Sequence, residues 1–333
     1  PWYLQFSNSV WMQCNADRGE RYNSGELTDK MNAMLTYRDG VYYDFIKNHQ
    51  FQFPLANVYN HDPIYGKEDT GITAKSMDGE QFRNYLFMQG TRGTAFWELY
   101  YSDSILDTEK YLVNADFLKW EEENFHMLRN AKVIGGTPAK SATLAAGNGL
   151  GGGAGAQTGE QNAYGFACFN NAGDEGIISM RNPAFSDKTI EFTLDNAIGC
   201  TSAGEYKVVL DHVYTEGDKA AANAPKTVTQ GQQVSITLKP GETQIWHLTK
   251  KGDTEAPVFT RLYNENDTTL RVQTSEHVKN AAFEVTVDGK KVETKGVKSY
   301  ADLKTFDITL AKAPAEGAKV EVKATAGEDY AGN

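Results

Sequence analysis

Two loops and one strand carry the side chains whose types suit chemistry. The stretch 7–27 holds Trp11, Asp17 and Arg18, the stretch 60–77 holds His61, Asp62 and Tyr65, and the run Thr94-Ala95-Phe96-Trp97-Glu98-Leu99-Tyr100 holds Glu98. A carboxylate placed at a reacting group can give or take a proton, an indole can cover the apolar face of a ligand, and Arg, His and Tyr can bond its hydroxyls. Plainer uses compete with each of these. Asp17 can pair with Arg18 or Arg21 on a wet surface, and Asp62, directly before Pro63, can cap a turn. Trp11 is either a stacking platform or the anchor of a loop. His61 suits a hydrogen-bond donor better than a proton shuttle, and with no other ligands nearby a metal at His61 and Asp62 is not expected. Strand alternation sends Trp97 and Glu98 to opposite sides. A buried carboxylate is costly without a partner, so Glu98 either faces a pocket or is paired.

The elements that must position these residues repeat a strand, a polar loop and a helix three times. Trp2–Phe6, Phe53–Tyr59 and Thr94–Tyr100 read as strands, and 28–49, 78–90 and 108–132 as amphipathic helices. In the last helix Tyr111, Ala115, Leu118, Phe125 and Leu128 recur near the helical period and mark the expected core face. The acidic run Glu121-Glu122-Glu123 is expected on the solvated side. Strands alternating with helices imply parallel pairing. The expected fold class is therefore α/β plus all-β: residues 1–133 are the last three βα units of a (β/α)8 barrel, in which chemistry sits in the loops after the strands.

Past Lys132 the pattern changes. The stretch 135–163 is rich in Gly and Ala and reads as an excursion with little to bury. From Tyr164 to Leu248 period-two runs replace helices, with the turn Lys239-Pro240-Gly241-Glu242, so 134–250 is expected to be an antiparallel β-sandwich. After the linker 250–257, residues 253–333 carry further short strands and the hairpin turn Asp288-Gly289, as in an immunoglobulin-like sandwich. Gly151-Gly152-Gly153 lacks the strand before it and the Lys-Ser/Thr after it that a phosphate cradle needs.

Composition bounds the partners. With 333 residues, 40% of them hydrophobic, the chain can bury large cores in two or three domains. A net charge of −11 argues against nucleic acid, which calls for a basic patch; aromatics with acids suit a neutral sugar. No apolar run is long enough for a membrane span. Cys14, Cys168 and Cys200 are odd in number and widely spaced, so no disulfide framework is expected, which decides nothing about export.

The runs Asn8-Ser9-Val10-Trp11, Asn15-Ala16-Asp17-Arg18, Met88 through Thr91-Arg92-Gly93-Thr94-Ala95-Phe96-Trp97-Glu98-Leu99, and Leu238-Lys239-Pro240-Gly241-Glu242-Thr243 resemble glycoside hydrolase families 36 and 27, the α-galactosidases and α-N-acetylgalactosaminidases. The stretch Asn60–Gly66 is similar to large gut-bacterial relatives of that group. The resemblance covers about residues 1–250, and the third module resembles those appended to secreted bacterial glycosidases. It implies retaining hydrolysis of α-linked galactose or N-acetylgalactosamine, with two carboxylates about 5–5.5 Å apart. It makes the first unit here the sixth of the barrel and Asp17 the acid/base. The nucleophilic Asp, after the fourth strand, then lies upstream. In the relatives the catalytic Asp stands nearer to the aromatic, about where Cys14 or Asn15 stands here. Trp11, Arg18, His61, Asp62, Tyr65 and Glu98 become substrate contacts. No cofactor is implied. A glycan is the expected partner, together with the missing amino-terminal barrel segment, without which the chain is expected to be inactive. A secreted, periplasmic or cell-surface bacterial location follows from the same resemblance. A raised acid pKa is required of Asp17, and Arg18 works against it unless turned away. Two other classes stay open: a non-catalytic carbohydrate-binding or adhesin-type surface protein, and a spacer whose β modules hold a barrel off the cell.

Overall fold

The computed structural model describes residues 6–11, 35–36, 39–40, 42–43, 46–47, 54–62, 77–94, 96–99, 106–138, 162–215 and 222–333. It divides into two compact units, one of residues 1–107 and 117–252 and the other of residues 108–116 and 253–333.

The first unit begins with three parallel strands, β1 (Val10–Trp11), β2 (Val58–Asp62) and β3 (Phe96–Leu99), in the order β1-β2-β3. Helix α1 (Gly79–Gly90) connects β2 to β3, as parallel pairing requires. Its start is set locally. Asp78 accepts from the Gln81 amide at 2.8 Å while the Gln81 side chain accepts from the Asp78 amide at 3.1 Å, a reciprocal capping box. The described residues between 35 and 47 are helical, and Leu35, Thr36, Asp39 and Tyr42 are buried.

Helix α2 (Thr108–Leu128) corrects two expectations. Its buried stripe is Val113, Phe117, Trp120, Glu121, Asn124 and Met127, whereas of the expected face only Leu128 is buried: Ala115 is exposed, and Tyr111, Leu118 and Phe125 are 38%, 40% and 43% exposed. Both stripes fit the helical period. The one with the larger rings closes on α1, where Phe87 meets Phe117 at 5.8 Å and Trp120 at 4.9 Å between ring centroids. Of the acidic run, Glu122 and Glu123 are exposed but Glu121 is buried, because it falls on that inner stripe.

The helix also ends earlier than expected, and Lys132–Gly135 forms strand β4. With β5 (Tyr164–Phe169), β6 (Gly176–Arg181), β11 (Thr243–Thr249), β8 (Glu205–Tyr214) and β9 (Thr227–Thr229) it builds an antiparallel sheet in the order β4-β5-β6-β11-β8-β9. A second sheet pairs β7 (Lys188–Thr193) with β10 (Gln233–Leu238). One apolar core lies between the sheets. Ile190 and Phe192 from β7 and Val234, Ile236 and Leu238 from β10 meet Ala167, Ile178, Met180, Trp246 and Leu248. β7 and β10 bury alternate residues, as a one-sided sheet does, but β5 and β6 are buried at every position.

What covers their second face includes the helices. Arg83 of α1 donates through Nη1 to His212 Nδ1 at 2.6 Å, and the His212 ring lies 5.1 Å from Phe87. Since a guanidinium only donates, Nδ1 is the acceptor, and Nε2–H of a neutral imidazole points at Asn84 Oδ1, 3.1 Å away. From α2, Trp120 donates to Asp211 at 2.8 Å, and His126 shares the carboxylate of Glu175 with His247 of β11. These bonds to His247 and His126 hold Glu175 down at about 2.

The second unit stacks β12 (Phe259–Asn266), β13 (Thr269–Thr274), β17 (Thr305–Leu310) and β16 (Thr294–Ser299) against β14 (Lys279–Val287), β15 (Lys290–Lys291) and β18 (Val320–Glu328). Its core is Leu270, Val272, Val285, Ile308 and Leu310. The expected hairpin turn joins β14 to β15, with Asp288 and Gly289 at φ 50° and 76° as a two-residue turn with both φ positive demands. Among the described residues no helix is long and apolar enough to cross a membrane. Cys168 and Cys200 are buried free thiols, and Cys14 lies outside the described residues.

Candidate functional site

Four of the seven candidate residues, Trp11, His61, Asp62 and Glu98, lie at or near the carboxyl ends of β1, β2 and β3. Trp11 is the last residue of β1, Asp62 the last of β2 and Glu98 the last but one of β3. The register sets His61 beside Glu98 and Asp62 beside Leu99, while Trp11 pairs with Tyr59. At about 3.3 Å per residue, Trp11 therefore sits roughly 7 Å short of the level of His61 and Glu98. Trp11, His61 and Asp62, expected in loops, all belong to strands; for His61 and Asp62 the reason is Pro54, which starts a 3-10 turn, Leu55–Asn57, that delays β2. Of Trp11, His61, Asp62 and Glu98 the backbone alone is described, and Asp17, Arg18 and Tyr65 lie outside the described residues.

Much of what positions β3 lies in the turn before it. The turn Thr91-Arg92-Gly93-Thr94 that leads into it is buried and tied to the sandwich. Thr91 donates through Oγ1 at 2.8 Å to Ser179 Oγ of β6 and accepts at its carbonyl from the Cys168 thiol of β5 at 3.3 Å. Gly93 has φ 82°, and a Cβ there would lie 2.6 Å from Leu55 Cδ2 and 2.7 Å from the Ala131 amide nitrogen. Only glycine meets both demands.

Arg92 anchors the same turn. Its Nε donates to Asp39 Oδ1 at 2.7 Å, with both side chains fully buried. Asp39 Oδ2 accepts from the Tyr164 hydroxyl at 2.5 Å, which in turn accepts from Arg181 Nη1 at 2.8 Å, and Arg181 also donates to Thr36 Oγ1 at 2.7 Å. Burial, reinforced by the Asp39 carboxylate, pushes the Tyr164 hydroxyl well above its usual range, so it stays a donor. This chain runs from the helical residues Thr36 and Asp39 through the approach to β3 to both β5 and β6. Sequence reasoning missed it. The available signal was an Asp on the apolar side of a helix and an Arg inside a Gly-rich turn, neither of which names its partner.

A group that could hold a cation lies in the second unit. Carboxylate oxygens of Asp253, Glu276 and Asp329 approach within 4.8 Å of one another. Burial first, then repulsion from Asp253, Asp329 and Glu255, pushes Glu276 up to about 7. Asp329 is occupied in folding the chain end, accepting from the amides of Gly332 and Asn333 at 2.6 and 2.9 Å. An acidic group of this kind is not in itself a cation site.

No protein-family model matches the chain, and no curated protein matches its sequence. Among solved structures it is similar to a GH27 β-L-arabinopyranosidase from Geobacillus stearothermophilus, with 13% identity and a TM-score of 0.39 over 76% of this chain and 47% of that one. A putative α-N-acetylgalactosaminidase from Bacillus halodurans is similar at 11% identity and a TM-score of 0.35, over 71% and 44% of the two chains. A GH30 endoxylanase from Clostridium papyrosolvens follows at 13% identity and a TM-score of 0.30, over 73% and 65%. The chain thus spans just under half the length of the first two. These likenesses assign it no activity.

Proposed function

We propose that the chain is the carboxyl-terminal part of a retaining glycoside hydrolase acting on α-linked galactose or N-acetylgalactosamine. The observation that carries the reading is the parallel trio β1, β2, β3, whose register brings His61, Asp62 and Glu98 to one end. That is where parallel α/β folds place their chemistry. The sequence resemblance at Asn8–Arg18 and Thr91–Leu99 supports the sugar class. In this proposal Asp17 protonates the leaving oxygen and then activates water, while an Asp outside this chain attacks the anomeric carbon. Trp11 covers the sugar face, and Arg18, His61, Asp62, Tyr65 and Glu98 bond its hydroxyls. The protein acts outside the cytoplasm, on glycans, and needs the rest of its barrel.

The test is release of p-nitrophenol from α-galactoside and α-N-acetylgalactosaminide substrates by protein of measured intact mass. Turnover by a species heavier than this chain's 36.8 kDa, cut at least about a hundredfold by Asp17→Asn, is the expected result. Robust turnover by the 333 residues alone would require both carboxylates within the loops named here and would overturn the split assignment. Undiminished turnover of Asp17→Asn would return Asp17 to a surface ion pair.

A further inference from the structure

Glu121 is a carboxyl group that no pairing explains. Its residue is 3% exposed, and neither side-chain oxygen has a hydrogen-bond partner. It projects from the inner stripe of α2 into the place where α1 ends. A Cβ on Gly90, the last residue of α1, would fall 2.0 Å from Glu121 Oε1 and 2.9 Å from the ring of Phe117. Glycine at the end of α1 is therefore what makes room for the carboxyl. Burial first, and then the charge of Glu121, raises the Cys168 thiol of β5. No cation among the described residues acts on it. Among the described residues, Arg83 of α1 donates to His212 and the Asp211 carbonyl, and Arg181 of β6 to Thr36 and Tyr164.

We propose that Glu121 is a proton-held lock on the α1–α2 contact: as the neutral acid it packs against Gly90, and its ionisation loosens that contact. The sequel lies one residue on. Thr91, next after Gly90, accepts a hydrogen bond from the Cys168 thiol at its carbonyl and begins the turn into β3, so loosening reaches β5 and the strand that carries Glu98. The inference is independent of the proposed glycosidase activity.

Burial raises the Glu121 acid well above its ordinary range, in agreement with the geometry. The folded chain thus keeps a proton that the unfolded chain releases above about pH 4.3. The stability associated with the neutral acid is complete below that pH and is lost as pH rises toward the folded-state value.

The experiment compares thermal unfolding of the whole chain with Glu121→Gln from pH 4.5 to 9, together with the carbonyl stretch of protonated carboxyls in the wild-type-minus-variant infrared spectrum at pH 7. The expected result is a pair of melting temperatures that agree near pH 4.5 and separate by about 3 °C per pH unit above it, Gln being the more stable, with a protonated-carboxyl band present at pH 7. A constant offset across the range, or no such band, would overturn the proposal. Should Glu121→Gln not fold, amide exchange of residues 117–124 and 165–169 in the unaltered chain decides. Exchange that rises with pH faster than intrinsic chemistry supports the lock, and exchange that only follows it refutes the lock.

Discussion

Asp39→Asn keeps the shape of the side chain and removes the one carboxylate at the centre of the buried relay. In the native chain Arg92 Nε lies 2.7 Å from one oxygen and the Tyr164 hydroxyl 2.5 Å from the other, with no exposure of Asp39 or Arg92. Arg181 donates to the same hydroxyl at 2.8 Å. Neutralising it takes the carboxylate away from buried Arg92, and breaking a buried ion pair from one side costs about 3–5 kcal/mol. Tyr164→Phe, which removes the hydroxyl and leaves its partners unsatisfied, should cost about 1–3 kcal/mol. Because both changes cut the same relay, they should couple by about 0.5–3 kcal/mol in a double-mutant cycle. Urea unfolding followed by circular dichroism supplies all four values at neutral pH, provided the slopes with denaturant stay unchanged. A loss below about 1 kcal/mol for Asp39→Asn, or costs that simply add, would show that the relay does not hold the approach to β3.

Two further outcomes test other parts of the structure. Glu276→Gln should raise the melting temperature at pH 8 but not at pH 4.5. The folded-state value near 7 lies above the unfolded one, so stability falls as pH rises between about 4.3 and 7, by no more than about 1 kcal/mol after allowance for the exposure of the group. Equal pH profiles for the two proteins would show that the carboxylates of Asp253 and Asp329 do not press on it. Gly93→Ala should destabilise the first unit by about 2 kcal/mol or more, since the new methyl meets both Leu55 and the Ala131 backbone at a positive φ. Hydrogen exchange localises that loss, and protection unchanged in residues 91–99 and 131–135 would refute it.

Much of the local structure follows from neighbouring residues alone. Asp78 and Gln81 specify the start of α1, and Asp288-Gly289 specifies a hairpin, because each closes within a few residues and needs no distant partner. The turn Lys239-Pro240-Gly241-Glu242 is of the same kind, with the Glu242 amide bonded to the Lys239 carbonyl at 3.0 Å. Period-two runs such as Lys188–Thr193 and Gln233–Leu238 announce their buried faces, since one side of each strand meets a core and the other meets water. The ends of β2 were harder, and with them the placing of His61 and Asp62, because Pro54 turns the chain before pairing to β3 draws it into a strand.

Tertiary packing decided the rest. Tyr111, Leu118 and Phe125 recur as regularly as Val113, Phe117 and Trp120, and hydropathy cannot choose between two apolar stripes on one helix. The choice was made by Phe87, which offers the inner stripe a ring to close on. Lys132–Gly135 is too short to announce a strand and becomes one by pairing with β5. The relay joins Asp39 to Arg92 and Tyr164 across separations of 53 and 125 residues, and Glu121 is withdrawn from an acidic run that otherwise faces solvent. Local sequence sets which conformations are cheap. Which polar groups leave water, and what meets them there, depends on parts of the chain that only folding brings together.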